Sequence, residues 1–484
     1  MRSTQLRTGA VAFLVAAALT AGCGQKPGVN ELYAGQVGAA GADGLAAPGA
    51  DGSGLPGATD VPGAGGGSLT GGGATGGSGS EDGSGSGAAA GGGSAGGGAA
   101  GTGGSASGGR GGGGAGGSGD TTGVTDTTIK IGVHAPVTGA AAIPQQSFER
   151  AVGVYFDYVN RRGGIHGRKV QVLFEDDHFD PNTARAKCKG LAEQEKVFLL
   201  IGGAGSDQID ACARYASATG VPYLSAGVHE TRPGLGSLSA LRTYFALSLT
   251  YEQQVPLLSR LVRSEFNGDK AALIVADNDS LDNFYNIANA SLKKTVGSNL
   301  TLSRRIPKNT SSDAPTIATT ICNSGAEVVV WNASPSTLLN VSKSMACRPT
   351  FVGPGLTNGL NVVTQVGCPN IDGAQFYSPF PGMDVMRQDA QFVKAYRDKN
   401  GAEPDDIGAA IYGVEKLVGA MLQATGKNLS RQRFMSTIAS VKTFNTGVYP
   451  GTNFRSRFGG TAMHLLRADC GKQEYETKRQ NERP

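Results

Sequence analysis

From Ile129 onward, short apolar runs alternate with stretches of helical periodicity, and this alternation restricts the fold more than any other feature of the chain. Apolar runs of about four to eight residues are typical of strands buried on both faces, whereas apolar residues spaced three and four apart indicate amphipathic helices. Strands that alternate with helices pair in parallel through right-handed crossovers. The sequence therefore predicts an α/β protein built on parallel sheets.

The periodicity assigns a type to each segment in turn. The predicted strands are residues 129–133, 169–174, 198–201, the run before Gly227, 243–249, 271–276, 301–306, 327–331, 350–352, 374–378 and 462–467. The predicted helices are residues 147–161, 182–194, a helix from Ser206, 252–266, 281–296, 314–324, 336–345, 384–399, 407–424 and 431–440.

Residues 198–227 read as a strand, a glycine turn, a helix and a second strand. Gly202, Gly203 and Gly205 let the backbone turn sharply, and Ser206 is placed to cap the helix that follows. Ligands of open α/β sheets bind just beyond the carboxyl ends of strands, and helix amides can hold a carboxylate or amide oxygen there. The turn at Ser206 is therefore the first candidate site.

The first 22 residues predict export. Arg2 and Arg7 precede an apolar run at residues 10–19, which is too short to span a bilayer and has the form of a secretory signal. The segment LTAGC, ending at Cys23, resembles the lipobox of bacterial lipoproteins, with Thr20 where leucine is commonest. The resemblance implies cleavage before Cys23, lipidation of its sulfur and anchoring to the outer face of the cytoplasmic membrane. The alternative is an ordinary cleaved signal with an incidental cysteine.

Residues 23–126 predict a flexible tether. Of the 77 glycines in the chain, 31 lie between Val61 and Asp120, so this segment lacks the apolar side chains needed for a core. The folded part is expected from Thr127. The net charge of +4 is small and no basic cluster interleaves with aromatic residues, which argues against binding of nucleic acid. The basic residues of segment 472–484 predict a solvated tail.

Apart from Cys23 the chain has an even set of cysteines, which predicts three disulfides in an oxidising compartment. Cys188 and Cys212 lie on consecutive predicted helices, as do Cys322 and Cys347, so each pair can meet on one face of a sheet. Elimination leaves Cys368 with Cys470. Metal binding is the alternative, but the sequence contains no C-x-x-C motif and its five histidines are dispersed. No metal and no cofactor is expected.

The sequence contains partial matches to enzyme motifs, but each lacks the residues or the neighbouring strands and helices that the motif requires. Gly426-Lys427 lacks the remaining residues of a phosphate-binding loop, and the glycines at 202–205 lack dinucleotide spacing. The match to G-x-S-x-G at residues 92–96 lies in the glycine-rich segment, where no strand precedes it. Ser206 has no evident base. The sequence predicts a binding protein rather than an enzyme.

Several motifs in order resemble one family. The sequences IKIGVHAPVTG, VNRRGGIHGRKVQVLFEDDHFDP, LLIGGAGS and GVPYLSAG are similar to the leucine/isoleucine/valine-binding branch of periplasmic binding proteins, the solute receptors of ABC importers. The resemblance implies the type I fold, with two Rossmann-like lobes joined by a three-strand hinge and closing over a ligand. It places residues 127–243 and 379–449 in the first lobe, and residues 244–378 and 451–471 in the second. This arrangement puts Cys368 and Cys470 in the same lobe.

The resemblance also implies ligand contacts in the first lobe. Ser206 matches a serine that binds the ligand's carboxylate in the family, and Thr138 and Gly139 match a small turn after the first strand. Gly227 matches a backbone carbonyl that contacts the ligand. His229 stands where the family has a hydroxyl, and it is either a hydrogen-bond donor or a surface histidine.

Three further residues follow strands of the second lobe. Asp277 and Trp331 occupy positions from which the family closes on its ligand, although Trp331, the only tryptophan, is equally consistent with a core residue. Gly355 stands where amino-acid binders of the family often have a glutamate for the ligand's ammonium group. This departure argues against a standard α-amino acid.

The expected function is capture of a small molecule, an amino acid or a related amide or carboxylate, by a monomeric lipid-anchored receptor that delivers it to an ABC permease. The alternative is a sensor with the same fold that signals to a membrane partner. The sequence of this chain does not separate import from sensing.

Overall fold

The computed structural model describes residues 119–139, 143–227, 238–308 and 312–484. The predicted signal peptide, Cys23, most of the predicted tether and His229 lie outside the described residues. Folded residues already precede the predicted start at Thr127, because Asp120 contacts the folded chain. Its carboxylate lies 2.6 Å from Arg431 Nη1, and its carbonyl accepts a hydrogen bond from the Arg431 backbone amide.

The strands, numbered along the chain, are β1 (Thr128–Ala135), β2 (Lys169–Asp176), β3 (Leu199–Gly202), β4 (Tyr223–Ser225), β5 (Tyr244–Ala246), β6 (Ala271–Asp277), β7 (Leu300–Pro307), β8 (Val328–Asn332), β9 (Thr350–Pro354), β10 (Gln375–Ser378), β11 (Met463–Asp469) and β12 (Glu474–Glu482). The α-helices within the described residues are α1 (Gln145–Ala151), α2 (Val154–Asn160), α3 (Pro181–Glu193), α4 (Ser206–Thr219), α5 (Tyr251–Glu265), α6 (Asp282–Val296), α7 (Ala314–Asn323), α8 (Pro335–Lys343), α9 (Asn361–Gly367), α10 (Met383–Met386), α11 (Ala390–Asn400), α12 (Asp406–Thr425) and α13 (Arg431–Ser440).

The first sheet has the order β2-β1-β3-β4-β5 within the described residues, and every neighbouring pair is parallel. All residues of the short central strands β3 and β4 are buried, as expected for parallel strands covered by helices on both faces. The carboxyl ends of β1, β3 and β4 therefore meet at one edge, and the loops that follow them lie side by side.

The second sheet has the order β12-β11-β10-β9-β8-β6-β7 among the described residues. Strands β6 to β10 are parallel, whereas β11 and β12 extend the sheet in antiparallel fashion. The apolar runs in β6 and β8 are buried throughout except at Asp277. The prediction of an α/β fold with parallel sheets is confirmed.

The chain passes between the two sheets three times, after β5, after β10 and before β11. Helices α11 and α12 follow β10 yet pack against α1 and α2 of the first sheet. Two of the crossings run side by side, since Ala246 exchanges backbone hydrogen bonds with Arg457 and Gly459. Tyr244 was predicted to open the second lobe, but it pairs with Tyr223 in the first sheet. The lobe boundaries themselves stay a prediction.

The predicted helix at residues 147–161 is two helices, α1 and α2. Gly153 separates them with a φ of +82°, a conformation in the left-handed region that glycine adopts without a steric penalty. The carboxylate of Glu415 on α12 accepts hydrogen bonds from the backbone amides of Gly153 (2.5 Å) and Tyr155 (3.0 Å). A buried carboxylate on a distant helix thus accepts hydrogen bonds from backbone amides that would otherwise be unpaired at the start of α2. The predicted helix at 384–399 is likewise divided, into α10 and α11.

The predicted solvated tail at residues 472–484 is wrong for most of its length, because residues 474–482 form β12. Tyr475 is buried in the sheet, and the basic side chains of Lys478 and Arg479 pair with Glu265 on α5. Glu265 on α5 therefore neutralises the basic side chains whose charge led to the prediction of a solvated segment.

The structure joins Cys188 to Cys212, Cys322 to Cys347 and Cys368 to Cys470, which are the predicted pairings. The first disulfide links α3 to α4, and its sulfurs lie close to His134. Because these sulfurs are bonded to each other, they are not available as thiolate ligands for a metal.

Candidate functional site

A cavity lies between the two sheets, where loops from both converge. Its volume is about 110 Å³. The first sheet contributes the ends of β3 and β4 with Ser206 and Gly227, and the second contributes the ends of β6, β7, β8 and β9. Side chains from both sheets therefore face the same space, which we call the cleft.

Ser206 lies at the start of α4 but does not cap it, in contrast to the prediction. Gly205 is the residue before the helix, and no side chain forms a cap hydrogen bond there. The Ser206 hydroxyl instead lies 2.6 Å from the hydroxyl of Ser280, which belongs to the short turn after β6. Its hydroxyl therefore faces the opposite side of the cleft.

Gly205 is required by two properties of its position. Its φ of +83° lies in the left-handed region, and an added Cβ would lie 2.0 Å from Oε1 of Gln208 and 2.9 Å from the ring of Phe179. A larger residue would move Ser206 or displace Phe179 from the wall of the cleft.

Asp207, the next residue of α4, connects the two sides of the cleft through its carboxylate. It forms an ion pair with Lys308, which follows β7, and accepts a hydrogen bond of 3.1 Å from Asn278 Nδ2, which follows β6. The side chains of Asp207 and Lys308 are 23% and 27% exposed, so solvent screens the pair only in part. We call Asp207, Lys308 and Asn278 the latch.

The loop after β6 is organised around Asn278. Its Oδ1 accepts hydrogen bonds from the backbone amide and the hydroxyl of Ser280, at 2.8 and 2.7 Å. The Arg305 guanidinium donates to the Asn278 carbonyl and also pairs with Asp277. These contacts fix the direction of the Asn278 amide and the Ser280 hydroxyl, the groups that reach across the cleft.

The ends of β8 and β9 add amide and hydroxyl groups to the cleft. Asn358 donates from Nδ2 to the Ala333 carbonyl at 3.0 Å, while its buried Oδ1 has no hydrogen-bond partner among the described residues. Asn332 is 9% exposed, and its Nδ2 lies near Tyr251 without a hydrogen bond of good geometry within the described part of the chain. Burial raises the pKa of Tyr251 to about 12, with the Asn332 side chain opposing the shift. The cleft thus offers neutral donors and acceptors beside one cation, Lys308, on its described lining.

A buried network supports the loop after β2. His134 is fully buried, with Nδ1 2.8 Å from Asp177 Oδ2 and Nε2 2.8 Å from the hydroxyl of Tyr223. The other oxygen of Asp177 accepts from the backbone amide of Phe179, which holds a positive φ of +55°. Because a positive φ is unfavourable for phenylalanine, this contact helps to keep the Phe179 ring at the cleft.

The structure brings Ser206, Gly227 and Gly355 together on the lining of the cleft. Thr138 instead donates to Asp176, and Gly139 packs against the carbonyl of His178, so neither residue lines the cleft. A direct role for any of these residues in ligand binding stays a prediction.

The two candidates from the ends of β6 and β8 do not line the cleft. The Asp277 side chain is 70% exposed and pairs with Arg305, and the neighbouring Asn278 lines the cavity in its place. Trp331 is fully buried and packs edge-on against Phe351, so it is a core residue. His229 lies outside the described residues.

At Gly355 the backbone leaves no room for the glutamate of amino-acid binders. An added Cβ would lie 2.4 Å from Cβ of Phe376 on the neighbouring strand β10. Such a contact is far inside van der Waals distance, so a side chain here would press on the sheet.

Periodicity did not identify Lys308, Asn278, Asn332 or Asn358 as site residues. Each follows a predicted strand of the second sheet by one to six residues, so the rule that ligands bind at carboxyl ends points to them. That rule does not identify which side chain of a loop turns into the cleft. Lys308 is set apart only by its contact with Asp207, which is distant in sequence.

Residues 128–468 match a family model described as periplasmic binding protein. The Leu/Ile/Val-binding protein homolog 7 of Brucella abortus is 26% identical over 321 residues, which cover 62% of this chain and 77% of that protein.

Among solved structures, the fatty acid ABC transporter substrate-binding protein of Thermomonospora curvata is similar with a TM-score of 0.64 and 17% identity, over 75% of this chain and 95% of that one. The isoleucine complex of the branched-chain amino acid transporter substrate binding protein of Streptococcus pneumoniae has a TM-score of 0.60 and 20% identity, over 73% of this chain and all of that one. At these identities the structures show the shared fold.

Proposed function

The chain belongs to the periplasmic binding protein family, and we propose that it captures a small molecule in the cleft and delivers it to an ABC importer. The observation that carries the proposal is the cleft itself, a cavity at the carboxyl ends of strands from two sheets, with polar groups from both sides facing it. Substrate-binding proteins with the same fold support this function.

The mechanism follows from the position of these groups. A ligand that contacts Ser206 on one side and Asn332 or Asn358 on the other makes both sets of contacts only when the lobes are together. Its affinity is therefore higher for the closed form, and binding shifts the equilibrium between open and closed lobes toward closure. A permease that recognises the closed form therefore binds the receptor together with its ligand.

The relatives place the family outside the cytoplasm, and we propose that this chain is held at the outer face of the cytoplasmic membrane by a lipid on Cys23. The segment LTAGC supports the anchor. We further propose that the receptor works as a monomer, with the permease as its protein partner. Among the described residues, no helix combines the length and the apolar character needed to cross a membrane.

We propose binding without catalysis. The group nearest the Ser206 hydroxyl is a second serine, Ser280, rather than a base that would activate it. The buried His134 is engaged by Asp177 and Tyr223 within the first lobe. Similar proteins of known structure are substrate-binding proteins, which agrees with this interpretation.

The solved relatives are described with ligands as different as a fatty acid and isoleucine, so the fold alone does not choose a ligand class. In this chain the crowding at Gly355 leaves no space for the glutamate that would pair with an ammonium group. A carboxylate or amide ligand without an α-ammonium group fits the cleft better than a standard amino acid.

The test is a thermal-shift screen of amino acids, amides and carboxylic acids, followed by calorimetry and small-angle scattering for each ligand found. A ligand at a hundred times its Kd adds about 2.7 kcal/mol of stability. We expect binding to make the protein more compact, and a protein that no ligand compacts would contradict the proposed function.

Ser206→Ala is expected to weaken a carboxylate ligand by about 1.5 to 3 kcal/mol, because a hydrogen bond to a charged group is lost. Ser217→Ala is a matched control, since Ser217 lies on the same helix α4 but does not line the cleft. Unchanged affinity in Ser206→Ala would place the binding site elsewhere.

A further inference from the structure

A second cavity lies inside the first lobe, between the face of the first sheet and the helices α1 and α12. Its volume is about 90 Å³. Its walls come from β1, β3 and the covering helices, as shown by Val133, Ile201, Phe148 and Ile411, and from Leu360 of the second lobe. We call it the apolar cavity.

The apolar cavity adjoins the cleft. Ala204, Leu356 and Thr357 line both cavities, so the two spaces share a wall at the end of β3 and in the loop after β9. A molecule that occupied both spaces would pass between these shared residues.

The helix α12 presents a continuous apolar stripe to this space. Ile407, Ala410, Ile411 and Val414 follow the spacing of three and four residues that places side chains on one helix face, and all of them line the cavity. Ala410 and Ile411 remain partly exposed, although most of the surrounding helix is buried. The stripe is thus turned toward a space that the rest of the core does not fill.

Small residues keep this space open. Gly203, Ala204 and Ala226 stand at the ends of β3 and β4, where larger side chains would extend into the cavity. Protein interiors are normally packed without such spaces, because unfilled apolar volume loses dispersion contacts. A run of small side chains beside partly exposed Val133 and Ile143 therefore points to an apolar occupant.

The polar groups of the lining do not favour a polar occupant. Among the described residues the lining has one acidic residue, Glu415, and no basic residue, and the oxygens of the Glu415 carboxyl group already accept hydrogen bonds from the amides of Gly153 and Tyr155. Thr357 stands at the wall shared with the cleft. A polar group carried into the interior would lose its hydration without gaining a partner from these residues.

The cleft, in contrast, has groups suited to an anionic head. Lys308 supplies positive charge, part of which its ion pair with Asp207 neutralises, Ser206 supplies a hydroxyl, and the first amides of the 14-residue helix α4 lie beside it. Asn332 is buried, and its Nδ2 donor lacks a well-formed hydrogen bond in the described part of the chain. A carboxylate oxygen can accept from such a donor.

We propose that the ligand is an amphipathic carboxylate whose head binds in the cleft and whose apolar chain enters the apolar cavity. The proposal rests on the proposed function, since it assigns the ligand class of the same receptor. In this arrangement the ligand passes between the side chains of Ala204 and Leu356, which line both cavities.

The first test is calorimetric titration of the full chain with straight-chain carboxylates, from acetate to decanoate. Each methylene moved from water into the apolar cavity is expected to raise affinity about fourfold, until the cavity is full. Affinity that does not depend on chain length would overturn the assignment of the apolar cavity, even if other small molecules bind and compact the protein. Failure of every ligand to compact the protein would instead count against the proposed function.

The second test fills the apolar cavity. Ala410→Phe is expected to leave acetate binding unchanged and to lower octanoate affinity at least a hundredfold, because the ring takes the place of the chain. Ala420→Phe is the control, since Ala420 lies on the same helix but does not line the cavity.

Ala410→Leu is a milder variant in case the phenylalanine impairs folding. It is expected to shorten the longest carboxylate that still gains affinity, without changing the gain per methylene for shorter chains. If folded Ala410→Phe and Ala410→Leu both keep the chain-length profile of the unsubstituted protein, the apolar chain does not enter this cavity and the proposal fails.

Discussion

The latch gives a direct way to change the balance between open and closed lobes. Asp207 belongs to the first lobe, whereas Lys308 and Asn278 follow strands of the second sheet, so the contacts exist only when the lobes are together. The substitution Asp207→Asn keeps the size of the side chain but removes the ion pair with Lys308. We expect it to favour the open form.

The size of the effect follows from burial. Both charged side chains are about three-quarters buried, so the pair lies between an exposed ion pair, worth up to about 1 kcal/mol, and a charged hydrogen bond shielded from water, worth about 1.5 to 3 kcal/mol. A value of about 1.5 kcal/mol changes the ratio of closed to open molecules about tenfold. Ligand affinity should fall by a similar factor if the ligand-free protein is mostly open, and by less if it is mostly closed.

Small-angle scattering of the ligand-free protein measures the change in compactness, and calorimetry measures affinity. Asp210→Asn is the matched control, because Asp210 lies one turn along α4 and pairs with Arg214 of the same helix. It removes the same charge without touching the second lobe. If Asp207→Asn and Asp210→Asn give the same scattering curve and the same affinity, the latch does not hold the lobes together.

Two further predictions concern stability. Burial raises the pKa of Glu415 from 4.5 to about 7, so the folded protein retains a proton that the unfolded chain releases above pH 4.5. The associated stability, about 3 kcal/mol, is present below pH 4.5 and is lost as pH rises to about 7. Urea unfolding of Glu415→Gln should show no such loss between these pH values. If the free energy of unfolding of Glu415→Gln and of the unsubstituted protein changes with pH in parallel, the prediction is wrong. Gly355→Glu should lower stability by about 1 to 3 kcal/mol through its contact with Phe376 and confer no leucine binding, as measured by thermal unfolding and calorimetry. Leucine binding without loss of stability would disprove that reasoning.

Most of the fold follows from local pattern, because each central strand is an apolar run buried on both faces. The exceptions depend on contacts between distant residues. Residues 147–161 have the periodicity of one helix, yet Gly153 and the carboxylate of Glu415 divide it. The strand β12 carries the charges of a solvated tail, and only its pairing with β11 and the nearby Glu265 make it part of a sheet.

The candidate site also has a part that local sequence pattern predicts and a part that depends on contacts between distant residues. The turn that ends at Ser206 is visible in the sequence, because a glycine-rich turn after a buried strand is a local signal. The partner of its hydroxyl, Ser280, depends on how the two lobes meet, and so does the pairing of Asp207 with Lys308. Local pattern does not predict the apolar cavity at all, because Val133, Ile201 and Ile411 each have the sequence context of ordinary core residues.

The cleft and the apolar cavity contribute differently to closure. Contacts of a carboxylate head with Ser206 and Lys308 come from opposite lobes, so they favour the closed form directly. The apolar chain is enclosed mainly by the first lobe, and it favours closure only through Leu356, Thr357 and Leu360 of the second. Chain length should therefore raise affinity for both the open and the closed form, whereas the head determines how far the lobes close. Octanoate that binds tightly to Ser206→Ala while compacting it less than the unsubstituted protein would show this division, and equal compaction would refute it.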